Sequence, residues 1–326
     1  MKADLLPLLR CPQSGNTLAL TDAAYDGAEI ESGTLVASSG QRYAITGGVP
    51  RFVPAETYAD NFGLQWNHFR RTQLDSYSGH PITRDRFYSY TGWKPEALRG
   101  ARVLDVGCGA GRFAEIALAA GAHLVALDYS SAVDACRANH RSEPRLNVVQ
   151  GDVYALPFAP GTFDFVYCLG VLQHTPDVHL AFAALPPMLK SGGTLTIDLY
   201  PRLLLNILWP KYWLRPVTKH IAPASLFSLV QRMVPVLLPV SRLLGRVPKL
   251  GKQLRKLVPV VNYEGVLPLS SEQVKEWAVM DTFDMLAPAH DHPQSVETVR
   301  QWFNEAGLSN IWVERMGFVV GRGTRA

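Results

Sequence analysis

Several things are scarce in this 326-residue chain, and each absence excludes something. No stretch offers eighteen uninterrupted apolar residues, the length a membrane-spanning helix needs, so no spanning segment is expected. The opening stretch, MKADLLPLLRCPQSG, holds a five-residue apolar patch broken by Pro7, too short for a secretory signal. Cysteine is limited to Cys11, Cys108, Cys136 and Cys168, scattered along the chain. That pattern excludes a disulfide framework and points to reduced thiols in the cytoplasm. With 47% hydrophobic and only 18% charged residues, disorder over most of the length is excluded as well. The length suffices for one large domain with additions, or for two.

One absence is local. Between Asp198 and Glu264 there is no acidic residue, whereas eleven Lys and Arg occur from Arg202 to Lys256. The whole chain carries +4, so this segment's +11 leaves −7 for the rest. A mildly acidic body thus bears one strongly basic, apolar segment.

What is present divides into five stretches. Residues 1–54 are rich in Gly, Ser and Thr with short apolar runs (TLVAS, RYAIT), which predicts a small β-rich segment with tight turns. Residues 55–100 carry aromatic-rich runs (FGLQWNHF, RFYSYTGW) that predict helices packed as a lid on the next stretch of chain. Residues 101–200 alternate strand-like and helix-like runs: RVLDV, GRFAEIALAAG, HLVALD, SAVDACRANH, LNVVQ, FDFVYC, VHLAFAALPPMLK halted by SGG, and TLTIDLY. Regular alternation with near-continuous apolar strands predicts an α/β fold, a parallel sheet covered on both faces. Residues 201–263 are a basic, apolar helical insert. Residues 264–326 complete the domain with two helices, capped by Ser271 and Ser295, and a strand pair, NIWVERM and FVVGRG.

The chemistry starts at VLDVGCGAGRF. A dinucleotide loop needs Gly-x-Gly-x-x-Gly so that a pyrophosphate can sit at the next helix N-terminus. Here the glycines are 107, 109 and 111, and Asp105 precedes them. A carboxylate there repels pyrophosphate and suits an ammonium group. Asp128 ends the next strand, where a ribose diol meets its acceptor in doubly wound folds. Asp152, after the third strand, is placed for an adenine amino group. An amine, a ribose and an adenine without phosphate describe S-adenosylmethionine.

With VLDVGCGAGRF, ALDYS, QGDVYALPF, FDFVYCLGVLQHTPD and LKSGGTLTI in register over residues 101–200, the chain resembles the class I S-adenosylmethionine-dependent methyltransferases. The resemblance implies a Rossmann-like seven-stranded sheet with an antiparallel last strand. It implies that Gly107, Gly109 and Gly111 line the methionine part, with Asp105 near the ammonium. Asp128 would bind the ribose hydroxyls and Tyr129 would pack on the adenine. Asp152 and Val153 would hold the adenine edge, and Leu169 and Gly170 would lie beneath the cofactor, whose spent form is S-adenosylhomocysteine. The N-terminal stretch is similar to a zinc-ribbon-like domain with two Cys-x-x-Cys pairs. The corresponding positions here are Cys11, Ser14, Val36 and Ser39, and one thiolate cannot hold a structural zinc, so no metal is expected.

Methyl transfer to a hydroxyl or amine calls for an in-line nucleophile and often a base. His174, in the loop after the fourth strand, is the leading base; orienting that loop is its equal alternative. MDTFDMLAPAHDHPQS gathers Asp281, Asp284, His290, Asp291 and His292. Asp284 and His290 are read as catalytic or substrate-recognising and Asp281, Asp291 and His292 as substrate-binding, with ordinary salt bridging the competing role. The basic insert is read as a lid or an oligomer interface, with peripheral contact at an anionic inner membrane surface as the other reading. Nucleic acid is not expected as a partner.

The function expected is methyl transfer to oxygen or nitrogen of a small-molecule acceptor. The rivals are a membrane-associated lipid, quinone or lipid-linked glycan as acceptor, and a non-catalytic cofactor-binding protein.

Overall fold

The computed structural model describes residues 1–54, 57–203 and 209–326. A four-stranded antiparallel meander comes first: β1 (Leu18–Asp26), β2 (Glu29–Ala37), β3 (Arg42–Thr46) and β4 (Val49–Pro50). Four helices come next, α1 (Asp60–His68), α2 (Asp75–Ser78), α3 (Ile82–Thr91) and α4 (Pro95–Leu98). Then comes the alternating part: β5 (Arg102–Val106), α5 (Arg112–Ala119), β6 (His123–Asp128), α6 (Ala132–Asn139), β7 (Leu146–Gln150), β8 (Phe163–Cys168), α7 (Val178–Ala183) and β9 (Leu189–Leu199). The basic segment forms α8 (Pro210–Thr218), α9 (Pro223–Gly245) and α10 (Gly251–Leu254). The chain closes with α11 (Ser271–Leu286), α12 (Val296–Glu305), β10 (Leu308–Met316) and β11 (Phe318–Arg325).

Seven strands make the main sheet in the order β10-β11-β9-β8-β5-β6-β7, with β11 antiparallel to both neighbours. The chain winds outward from β5 to β7 and then returns to β8 on the other side. That reversal opens a crevice beyond the carboxyl ends of β5 and β8, where doubly wound sheets bind ligands. Successive strand residues face opposite sides. Leu104, Val125 and Leu127 therefore join a core with Phe182, Val299 and Phe303, while Val103, Leu124 and Ala126 join one with Phe87 and Phe113. The meander, through Ile30 and Leu35, and the stretch before it, through Leu5 and Leu9, share the first of these cores, and Arg51 bonds the Gln150 side chain at 2.9 Å.

Two local expectations are corrected. The helix after Asp177 ends at Ala183, because Pro186 and Pro187 cannot continue it. Ser191-Gly192-Gly193 then lies inside β9, with Gly192 at a φ of +76°, and not in a terminating loop. The cap of α11 is Ser270, in a reciprocal pair with Gln273, one residue before the Ser271 expected. Ser295 caps α12 as expected.

The crevice has a helical roof. Along α9, Leu226, Phe227, Val230, Val234 and Leu238 recur at helical spacing and are buried with Trp277, Ala278 and Phe283 of α11 and Phe69 after α1. Distant segments pin this roof: Trp277 Nε1 donates to the Thr72 carbonyl at 3.1 Å, and Gln273 Nε2 to the Ser78 carbonyl at 2.9 Å.

Candidate active site

Between sheet and roof lies a cavity of about 1190 Å³. Its floor is the glycine loop. Gly107 and Cys108 donate their amides to the Leu127 carbonyl at 2.7 and 3.0 Å, and Gly109 donates to Asp128 Oδ2 at 2.9 Å. These amides are occupied by the end of β6, so the loop offers no nest for a pyrophosphate. Gly107 has a φ of +83°, and a Cβ there would fall 2.3 Å from Val171 Cγ2, a position only glycine fills.

Three carboxyl groups stand at or just beyond the carboxyl ends of three adjacent strands: Asp105 on β5, Asp128 on β6 and Asp152 after β7. Asp128 lines the cavity; Ser130 donates to its Oδ1 through the amide (2.8 Å) and the hydroxyl (2.7 Å), and burial raises its carboxyl pKa. Asp152 also lines it, accepts the Tyr154 amide at 3.0 Å, and is likewise raised by burial. Tyr129 lies on the wall with Tyr58, their ring centres 5.0 Å apart. Val153, Leu169 and Gly170 complete this end.

Asp105 differs from its expected place. It is 1% exposed and does not form part of the cavity wall. Burial pushes its carboxyl up to about 8; the Tyr167 hydroxyl beside it pulls the other way and the Asp128 charge adds to the rise. One of its oxygens has no hydrogen-bond partner among the described residues. An unsatisfied buried carboxyl oxygen next to the loop fits a cationic ligand, which would restore its charge. Gly111 also lies off the wall. It is the N-cap of α5 at φ +86°, and a Cβ there would meet Cys136 Sγ and His140 at 2.9 and 2.8 Å, so its role is packing.

The other end of the cavity carries the titratable groups. His174 is buried between the rings of Phe62 and Tyr200, at 5.3 and 5.4 Å. Its Nδ1 lies 3.0 Å from the His290 carbonyl, an acceptor, so Nδ1 carries the proton and Nε2 is the basic nitrogen. Burial lowers its pKa, with Asp284 opposing. Asp281 and Asp284, one turn apart on α11, both reach the wall. Asp281 accepts the Tyr263 hydroxyl, and burial, then Asp284, pushes its carboxyl up to about 7.

Three of the grouped residues are not on this wall. His290 offers its carbonyl to His174, and its ring stacks on His292 at 5.8 Å and meets the wall residue Tyr58 edge-on at 5.5 Å. His292 donates its amide to the Gln173 carbonyl at 2.9 Å. Asp291 is buried against Lys211 (3.1 Å) and Arg215. Burial works against its charge, but those two cations hold the carboxyl below its ordinary range. It is a clasp between α8 and the end of α11, where Arg215 also donates to the Met285 carbonyl.

Other wall residues escape the sequence reading. Arg86 on α3 pairs with Asp198 at 2.6 Å. Arg112, at the start of α5, bonds Gln73 (2.6 Å) and Thr83 (3.2 Å), and burial together with Arg86 pushes its pKa down to about 10. Arg112 comes directly after the glycine loop, the one signal that places it there. In the meander, Cys11, Ser14 and Ser39 converge: Ser39 donates to Ser14 at 2.8 Å, and Cys11 Sγ lies 3.2 Å from the Tyr43 hydroxyl. Among the described residues no cluster of three or more His, Cys, Asp or Glu side chains could hold a metal ion.

Residues 104–197 match the protein family described as "Methyltransferase domain". Those residues carry a methyltransferase domain. Over 105 residues it is 38% identical to the ubiquinone biosynthesis O-methyltransferase of Xanthomonas campestris pv. campestris, covering 31% of this chain and 44% of that protein. Over 130 residues it is 33% identical to the enzyme of the same name from Methylococcus capsulatus, covering 38% and 55%. The chain thus spans about half the length of the curated relatives it matches. A putative S-adenosyl-L-methionine-dependent methyltransferase from Methanococcus maripaludis overlays at a TM-score of 0.45 with 15% identity, over 84% of this chain and 96% of that one.

Proposed function

We propose that the protein transfers a methyl group from S-adenosylmethionine to an oxygen of a small-molecule acceptor, with S-adenosylhomocysteine as the spent cofactor. The observation that carries the reading is the set of three carboxyl groups at adjacent strand ends beside a glycine loop whose amides are already engaged. The cofactor, when bound, supplies an electrophilic methyl on a sulfonium. Asp128 offers acceptor lone pairs to a diol, Asp152 and Val153 an edge for a base, and Tyr129 and Tyr58 an aromatic wall. Asp105 balances a cation.

At the far end, Asp281, Asp284 and Tyr263 orient the acceptor hydroxyl, and Phe62, Tyr200 and the roof exclude water. His174 takes the acceptor hydroxyl's proton on Nε2, which readies that oxygen for the methyl the cofactor would supply. Its neutral form dominates near neutral pH, because burial lowers its pKa. The name shared by the relatives supports an oxygen acceptor, and a quinone-like or lipid-linked one is the second reading, favoured by the apolar insert beside the cavity.

Calorimetry with S-adenosylhomocysteine tests the cofactor: binding is expected in the native protein and lost in Asp128→Ala. Undiminished binding in that variant overturns the assignment. Labelled methyl transfer to a panel of hydroxylated acceptors separates an enzyme from a protein that only binds the cofactor.

A further inference from the structure

The outer side of the basic insert is unlike the rest of the surface. Ten of the fifteen large apolar side chains left exposed among the described residues fall between Trp213 and Leu257. On α9 the inner stripe is buried against α11 and α1, while Leu229, Val236, Val240 and Leu243 repeat along the opposite side, 45–67% exposed. Lys219, Arg232, Arg246, Lys249, Lys252 and Lys256 are exposed in the same segment, which has no acidic residue of its own. Lys211, Arg215 and Arg242 are ion-paired with carboxylates outside it.

We propose that this face docks the protein on an anionic lipid bilayer, with α9 lying in the plane of the interface. The proposal goes beyond the methyl-transfer reading and does not depend on it. An apolar stripe flanked by cations is the pattern of helices that settle at the headgroup boundary. By length and composition α9 would suffice to cross a membrane, but its inner stripe is already held by protein, which leaves it lying along the body. A second copy would set one cationic face on another and meet repulsion. A nucleic acid would find aliphatic side chains where bases need aromatic rings to stack on. Charge and chemistry together select the lipid surface. Lys256, exposed yet on the cavity wall and 5.3 Å from the Trp209 ring, marks one opening of the cavity on this segment. A docked protein would present that opening to the bilayer, a route for an amphiphilic acceptor.

Sedimentation with vesicles tests this, comparing pure phosphatidylcholine with an equal mixture of phosphatidylcholine and phosphatidylglycerol. Binding to the mixed vesicles at low salt is expected, released at roughly 1 M salt, where charges are screened. Each basic residue removed is expected to weaken binding about fivefold. Lys249→Gln/Lys252→Gln and Val236→Glu/Leu243→Glu should therefore both sediment less, with thermal midpoint and S-adenosylhomocysteine binding unchanged. No binding at low salt, equal binding to pure phosphatidylcholine, or full binding by both variants overturns the proposal. So does a dimer by light scattering that Leu243→Glu dissociates, since a second copy would then own the face. Should the glutamate pair lower the thermal midpoint, the glutamine pair alone decides.

Discussion

Replacing Gly107 by alanine separates two costs that the structure keeps distinct. The residue sits at φ +83°, where an L side chain costs about 1–2 kcal/mol. Its new Cβ would also lie 2.3, 2.6 and 2.9 Å from three atoms of Val171, an overlap that costs about 1–3 kcal/mol to relieve. Gly170 is the control: its φ of +79° carries the same strain, but nothing lies within 4 Å of a Cβ there. Gly107→Ala should then lose about 2–5 kcal/mol and Gly170→Ala about 1–2, against a native stability of about 5–15 kcal/mol. Both variants fold. Denaturant melts read the difference, and calorimetry with S-adenosylhomocysteine reads displacement of the loop. Adding Val171→Ala removes the two Cγ atoms and keeps Cβ, so it should return most of the overlap part to Gly107→Ala and nothing to Gly170→Ala, a coupling that a double-mutant cycle isolates. If Gly107→Ala is no less stable than Gly170→Ala, or Val171→Ala fails to restore it, the close approach of loop and Val171 is refuted.

The other predictions concern the acids and the base. His174→Gln should cut turnover about 10²–10⁴-fold with cofactor affinity kept, checked by single-turnover methyl transfer; an unchanged rate removes the base. Asp291→Asn strands Lys211 and Arg215 inside the protein and should cost about 3–5 kcal/mol, with the roof cut first in limited proteolysis. Asp105 and Asp281 are raised to about 8 and 7, so the folded state holds protons that the unfolded state has released. Their contribution to unliganded stability should fall as pH rises from about 4 to 8, whereas buried His174, with its lowered pKa, contributes a rise up to about 6.5. Asp105→Asn keeps the neutral form, so the stability of the native protein minus that of the variant isolates Asp105 and should decline across this window in melts. A difference that stays flat or rises contradicts the Asp105 assignment.

The proposed cofactor end is legible in the sequence because each part is local: one loop holds Gly107 and Gly109, and each carboxylate lies at or just past the end of its own strand. Asp105 shows the limit of such reading. Its position in the chain is adjacent to the loop, but strand alternation and Tyr167 bury it. The acceptor end is assembled from far-apart pieces. Arg86, Tyr200 and Tyr263 come from three different segments, and nothing near them in sequence announces a site. In the run from Asp281 to His292, spacing could not separate the helical residues Asp281 and Asp284, which face the cavity, from Asp291, which faces two cations. Only the geometry of α8 against α11 decides that.

The roof has a consequence for how the chain is made. The inner stripe of α9 is covered by α11, which emerges about forty residues later, a delay of several seconds during synthesis at about 5–20 residues per second. Thr72 and Trp277 must also meet across about two hundred residues before the ceiling closes, and contacts of such long range form late. The five parallel strands β5 to β9 and the glycine-loop floor are all made while α9 still shows apolar residues on both sides; β10 and β11 follow α11. The nascent chain at that stage is a greasy, cationic helix without its cover. Its yield in a cell would then turn on whether a chaperone or a lipid surface shelters that helix until α11 arrives.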